Sequence, residues 1–589
     1  MRRPYFGVVD GMRKTTKNKK RMFTGAAVLL VGSVVAKMLG ALYRIPLTNI
    51  LGAEGMGMYQ LVFPVYALFM VLATAGIPTS LSRTVAEKRA LGENVKKYFA
   101  VAMCALLVLG LAFGLLMGAL SDVLAKRQGN ADTRFGFLII APAITFVCVI
   151  SGFRGYFQGQ MYMLPTALSN VVEQVVKLAV GIGASYALAK RGVIYAVCGA
   201  LFGVTASEIV TAAYMGVTYF FRSKKEKREQ IVARVSLKER DLQSGRDRDV
   251  LQDESSAQCS EKADNSDGRS RSTKKARFER VSRVELKGML KVALPIAAVA
   301  ALMPLSSFFD SILIVNMLKA FGLKQGVATA QYGIISGPVN SLINMPVVAI
   351  MSLAVAVVPS VSASRATRDI DGVMLKSSLC VRIAYLLGIP FAFYLAVFAR
   401  NVIGALYPAL SEQNTIVAVN VLRITAANVV FLSVMQIYVS LLQAVDKTKY
   451  AVFSLIAGII VKIVLAVVLT RYIGINGAAI ASLALPVVAY FCTLVSYYKI
   501  CGLRLEKNVG LNLLSGVIMA LCGIAVGSFI KNDIASLAVG FSVCAVVYVW
   551  LAFLFNLVGK DDIPHLPLKK LLWALHRTIR FWEYNNETR

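Results

Sequence analysis

Histidine is almost absent from this chain of 589 residues: there are two, His565 and His576, both in the C-terminal tail. There is also no Walker A glycine loop and no Cys/His cluster with metal-ligand spacing, so nothing in the sequence supports an ATP-driven pump, a metalloenzyme or a bound cofactor. Charge is scarce as well, at 16% of residues, and the runs 98–121, 135–153, 478–498, 509–530 and 534–559 hold no Asp, Glu, Lys or Arg. A hydrocarbon core about 30 Å thick takes about twenty helical residues at about 1.5 Å each, so each of these runs is long enough to cross it. Nine cysteines are present but none forms a CxxC pair; Cys104, Cys148, Cys198, Cys380, Cys492, Cys522 and Cys544 fall in or at the ends of apolar spans, where a thiol acts as a small packing group. At 57% hydrophobic, the chain has too little polar surface to cover a water-soluble globule of this size.

The chain does hold an excess of cations. A net charge of +32 would point a soluble protein toward nucleic acid, but in a membrane protein it reports sidedness and gives no reason to expect a nucleic-acid partner. Apolar spans begin near residues 22, 57, 98, 135, 163, 193, 289, 333, 377, 416, 450, 477, 510 and 534. Threading these fourteen from a cytoplasmic N-terminus puts roughly three-quarters of the 64 Lys and Arg on the inner side, which predicts both termini in the cytoplasm. The basic segment 1–21 followed by an apolar run from Met22 resembles a signal peptide, but the run is too long, and an uncleaved first helix is expected. Loops on the outer side are short, leaving little room for an extracytoplasmic catalytic domain, and no enzyme activity is expected.

The fold class expected is an all-α integral membrane protein: a basic N-terminus (1–21), a six-helix lobe (22–221), a linker (222–287), a second six-helix lobe (288–500), two further helices (501–558) and a cytoplasmic tail (559–589). The linker is Ser-rich and about two-fifths charged, which predicts a disordered or loosely helical segment. The halves on either side resemble each other. IPTSLSR (77–83) parallels VPSVSASR (358–365), with Pro78 and Pro359 separated by 281 positions, while Gln158 matches Gln443 and Lys177 matches Lys462 at an offset of 285. Two registers this close indicate a duplicated unit inserted in parallel.

Ionisable groups at membrane depth are costly unless they face water, a partner or a ligand. Lys37, Lys177 and Lys462 each lie roughly 20 Å from the inner ends of their spans at about 1.5 Å per residue. With Arg44 and Arg423 they are the candidate substrate-binding cations, suited to an anionic headgroup: Lys as a mobile point charge, Arg as a bidentate partner of phosphate. The competing reading is local pairing, since Glu173 precedes Lys177 by one helical turn. Glu173, Asp310, Glu208 and Arg382 are candidate coupling or charge partners. Pro78, Pro304, Pro346, Pro359 and Pro390 are candidate hinges or fixed kinks, and Gly32, Gly40, Gly52, Gly55 and Gly57 read as close packing and a tight turn.

Four features carry a resemblance: AKMLGALYRIPLTNILGAEGMGMYQ (36–60), the PTSLSR and VPSVSASR helix ends, the LLQAVDKTK loop (441–449), and two six-helix lobes followed by two helices. In these the chain resembles the multidrug/oligosaccharidyl-lipid/polysaccharide exporter superfamily, and within it the branch of stage V sporulation protein B and the MurJ-type lipid II flippases. The resemblance implies a V-shaped bundle opening alternately to either face of a bacterial plasma membrane, with a cationic cavity for the diphosphate and sugars of an undecaprenyl-linked precursor and a groove for its tail on the last two helices. It implies lipid-linked anionic oligosaccharide, membrane lipids and the cell-wall synthesis machinery as partners. Lys37 matches the first essential basic position of the family, and Arg44 falls within one residue of the second. The paired arginines of the second span are replaced by Phe69 and Met70, and the arginine early in the eighth falls near Asn340 and Ser341. Two other functions compete: a cation-coupled multidrug exporter of the same superfamily, and a non-transporting scaffold recruiting envelope or sporulation enzymes through the linker.

Overall fold

The computed structural model describes residues 6–74, 76–91, 93, 95–252, 283–502, 508–530 and 532–557. The first five residues, the middle of the linker and the expected tail lie outside the described residues. The first half comprises α1 (Phe6–Thr74), α2 (Ile77–Ala90), α3 (Lys96–Ala119), α4 (Ser121–Arg127), a 3-10 turn at Ala131–Thr133, α5 (Arg134–Gly159), α6 (Leu164–Ala189) and α7 (Val193–Gln252). The second comprises α8 (Arg283–Ala320), α9 (Gln325–Ile334), a π-helical stretch at Ile335–Val339, α10 (Asn340–Ala366), α11 (Ile370–Val397), α12 (Ala399–Leu406), α13 (Glu412–Thr425), α14 (Asn428–Ala444), α15 (Thr448–Ile473) and α16 (Ile475–Cys501). Helices α17 (Val509–Phe529) and α18 (Asp533–Leu554) follow.

Twelve helices are long and apolar enough to cross a membrane, and the pair α13 and α14, bent by 44°, makes a thirteenth. One of the twelve, Val31–Arg89, is 59 residues long, more than two crossings need at about twenty residues each. It breaks at Gly52, whose backbone (φ 67°, ψ −175°) is open to glycine and strained for other residues, and so forms two spans. The described residues therefore hold fourteen spans, and the protein is a multi-pass, all-helical membrane protein. Helices are the expected solution, because backbone polar groups in hydrocarbon must be satisfied within their own segment. Large apolar side chains turned outward, such as Phe529 (87% exposed) and Leu115 (74%), suit a bundle whose solvent is lipid. The expected linker is helical as far as Gln252, continuing α7 beyond the span, and residues 283–287 open α8.

Equivalent helices pair alike in the two halves. As α6 packs on α7 and on α1, so α15 packs on α16 and on α8; as α5 packs on α2 and α3, so α14 packs on α10 and α11. α6 and α15, which carry the matched lysines, are both 26 residues long. α17 and α18 pack on each other and on α11.

The lobes meet at the face where α1 breaks, opposite the face from which α7 runs toward the linker. A Cβ at Gly57 would run into the Thr329 carbonyl, and one at Gly333 into the Ala53 carbonyl, so α1 and α9 cross with their backbones nearly touching. Hydrogen bonds extend this seam: Gln128 Nε2 donates to Ser311 Oγ (2.8 Å), Asn130 Nδ2 to Thr329 Oγ1 (3.2 Å) and Asn49 Nδ2 to the Leu406 carbonyl (2.9 Å). The expected proline hinges resolve differently. Pro78 starts α2 rather than bending a helix, Pro390 lies inside α11, and the eighth span departs from α-geometry at Pro338, where the missing N–H leaves a carbonyl that the π-helical stretch re-registers.

Candidate functional site

On α1, Lys37, Gly40, Ala41 and Arg44 repeat at spacings of three and four, so they share one face of the helix. The two cations stand about 10 Å apart along the axis at about 1.5 Å per residue, with only small side chains between them. That face lines a cavity of about 330 Å³ whose other walls come from the part of α1 beyond Gly52, through Tyr59 and Phe63, from α6, through Gln174 and Lys177, and from α10, through Ser341, Asn344, Met345 and Val348. The cavity thus draws on both lobes, beneath the seam, and gathers Lys37 and Arg44 of α1 with Lys177 of α6, from two separate stretches of sequence. Among the described lining residues there is no carboxylate.

Each cation is oriented differently. Lys37 is exposed to the cavity. Arg44 reaches across the lobe boundary, donating from Nη1 to Ser341 Oγ (3.2 Å), and Ser341 in turn donates to the Gly337 carbonyl in the π-helical stretch (2.6 Å). A serine at one of the positions where the family resemblance would put arginine therefore takes the hydrogen bond of the arginine already supplied by α1. Phe69 and Met70, at the other departure, pack on the first lobe's core, Phe69 edge-on to Phe113. Lys177 lies over the ring of Phe63 with Nζ 5.1 Å from its centre, a cation–π contact that holds the ammonium at the cavity wall.

The local pair that competed for Lys177 does not form. Glu173 turns to Arg154 on α5, whose Nη2 donates to its Oε2 at 3.0 Å while Arg154 Nε donates to Ser169 Oγ. Glu208, 5% exposed, sits behind this pair within electrostatic reach of Arg154, Lys177 and Glu173 and beside Tyr66. Arg154 escaped the sequence reading because it stands at the edge of an uncharged run and looks like a span boundary; its partner is 19 residues away on another helix. Replacing Arg154 with Met should cost about 1–3 kcal/mol of stability, the usual effect of leaving a half-buried polar group without its partner. The thermal midpoint in detergent tests this, and an unchanged midpoint would contradict it.

The remaining candidates lie off the cavity. Lys462 on α15 donates to Asp310 Oδ2 (2.5 Å) and Ser306 Oγ (3.2 Å) on α8. Arg423 is exposed on α13 just before the bend into α14, and Arg382 is half-buried on α11.

Residues 22–237 match the family described as polysaccharide biosynthesis protein. The chain is 25% identical over 559 residues to stage V sporulation protein B of Bacillus subtilis, covering 93% of this chain and 98% of that protein. It is 22% identical over 520 residues to the lipid II flippase MurJ of the same organism, covering 86% and 88%. Among solved structures, a lipid II flippase MurJ in an inward closed conformation superposes with a TM-score of 0.66 at 12% identity, over 90% of this chain and 98% of that one, a likeness that shows the fold. The resemblance drawn from the sequence is borne out by these likenesses.

Proposed function

We propose that this protein is a flippase of the bacterial plasma membrane, moving an undecaprenyl-diphosphate-linked cell-wall precursor, lipid II or a related lipid-linked oligosaccharide, from the inner to the outer leaflet by alternating access. The observation that carries the proposal is the cavity between the lobes, where three cations from α1 and α6 face a space without carboxylates. Moving a diphosphate through hydrocarbon is forbiddingly costly for the bare ion; water and counter-charge in the cavity lower that barrier while the lipid tail stays in the bilayer. With both termini cytoplasmic, as the distribution of cations favours, the seam at Gly57 and Gly333 closes the outer side and the cargo enters from within. The likeness to a named lipid II flippase supports the cargo class, and the stronger match to a sporulation protein keeps related saccharide lipids in view. A cation-coupled drug exporter would want carboxylates in the cavity, and the lining offers the opposite charge.

In proteoliposomes, fluorescent lipid II placed in one leaflet should become accessible in the other, whereas a polyprenol-linked saccharide without the diphosphate should not. Equal transfer of the two, or none above protein-free vesicles, would refute the proposal. Deleting residues 225–282 should leave this transfer within about twofold of wild type; a loss of transfer would favour a role that works through the linker.

A further inference from the structure

The matched lysines of the two lobes have parted company. On α6, Lys177 faces the cavity, while on α15 its counterpart Lys462 is held by Asp310 and Ser306 of α8. The difference traces to the facing helix. α1, which packs on α6 as α8 packs on α15, has no Asp or Glu anywhere from Gly11 to Ala53, so nothing on it can capture Lys177 within the span. α8 supplies Asp310 at membrane depth, and the pair is largely shielded, with side-chain exposures of 12% and 19%.

α8 is also the helix whose allegiance packing leaves open. It lies against α1 and α2 of the first lobe about as extensively as against α9 and α15 of its own. Phe308 packs on the first lobe's core, whereas Ile314, Val315 and Leu318 belong to the second lobe's. Toward the seam it bonds to the first lobe again: Ser311 accepts from Gln128, and Asn316 Nδ2 donates to the Arg127 carbonyl (2.8 Å). Those are neutral hydrogen bonds that water can replace once the seam opens. An ion pair at membrane depth has no such substitute, and separating it strands two charges in hydrocarbon.

We infer that Lys462 and Asp310 form a clasp inside the membrane that makes α8 travel with the second lobe, so that the contacts from Ser311 and Asn316 to the first lobe are the ones that break when the outer side opens. Lys462 is then a positioning residue, and Asp310 diverts it from the cargo. The clasp rests on alternating access, the mechanism proposed above.

The test places spin labels on a ketone-bearing amino acid, which leaves the native cysteines in place, at exposed positions Arg127, Ala320 and Tyr472 in lipid, and measures distances in pairs. In the wild-type background the 320–472 distance, within the second lobe, should be single and narrow while the 127–320 distance, across the seam, shows two populations. In the charge-free variant Asp310→Asn with Lys462→Met, which buries no orphan charge and should keep its thermal midpoint, the 320–472 distance should split and lipid II transfer should fall at least tenfold. A 320–472 distance split in the wild type would overturn the clasp alone. So would a variant with that distance unchanged, and if transfer were lost all the same, Lys462 would belong to cargo recognition. A single 127–320 distance in the wild type would remove alternating access and the clasp together.

Discussion

Lipid II transfer by the variant Lys37→Ala, Arg44→Ala, Lys177→Ala falls by about three orders of magnitude at limiting substrate, while its helical content and thermal midpoint stay close to wild type. The estimate takes about 1.5 kcal/mol per charge-assisted hydrogen bond to phosphate, the low end of the usual range, and every 1.4 kcal/mol is about tenfold. Three such contacts give about 4.5 kcal/mol, provided they act on the same anion without strong coupling. Folding should be spared because removing cations from a cavity without lining carboxylates relieves mutual repulsion and strands no charged partner in the lining. The singles should rank: Lys37→Ala, exposed to the cavity, should lose most of its effect when arginine replaces lysine, whereas Arg44→Lys should stay impaired because Ser341 is matched to a guanidinium donor. Transfer by the triple variant at the wild-type rate would remove these residues from the site.

The second large effect belongs to the seam. Gly333→Leu should displace the closed arrangement by about 3 kcal/mol or more, because the new side chain meets the Ala53 carbonyl and the backbone of Gly57, neither of which can move without parting the lobes. A penalty of that size shifts a two-state population by about a hundredfold, enough to leave the outer side open in most molecules and to stall transfer. The reporter is a cysteine at Asn49, whose side chain bridges the seam to the Leu406 carbonyl. With Gly333→Leu in the same chain, its reaction with a membrane-impermeant maleimide should speed up by at least tenfold. Gly183→Ala is the control, since a Cβ there meets nothing within 4 Å. Equal maleimide rates in the Gly333 and Gly183 variants would mean that the crossing of α1 and α9 does not gate the outer side.

These effects differ in how far the sequence foretold them. The spans were legible because hydrocarbon imposes a length and a composition on any segment that crosses it, and Gly52 and Gly57 stood out at the turn between the first two. Membrane depth singled out Lys37, Lys177 and Lys462, and the duplication related the last two. Depth could not separate them: Lys177 and Lys462 look interchangeable along the chain, yet one lies over Phe63 at the cavity wall and the other is bound to a carboxylate 152 residues away. Arg154 and Ser341 were missed as functional groups for the same reason, since each owes its role to a partner on a different helix, Glu173 in one case and Arg44 in the other. Pro338 passed unremarked among more conspicuous prolines, although it sits where the eighth span changes its helical register.

By itself the sequence determined that this protein lives in a membrane, how many times it crosses, that it is built twice over, and that it keeps positive charge at a depth where charge is costly. Those properties follow from the solvent, which acts on each segment separately and so can be read one segment at a time. Which of the buried cations share a cavity, which is neutralised by a neighbour, and where the two lobes touch were decided by the tertiary structure alone. Electrostatic pairing and close packing act over a few ångströms between helices, and separation along the chain does not predict which helices are brought that near.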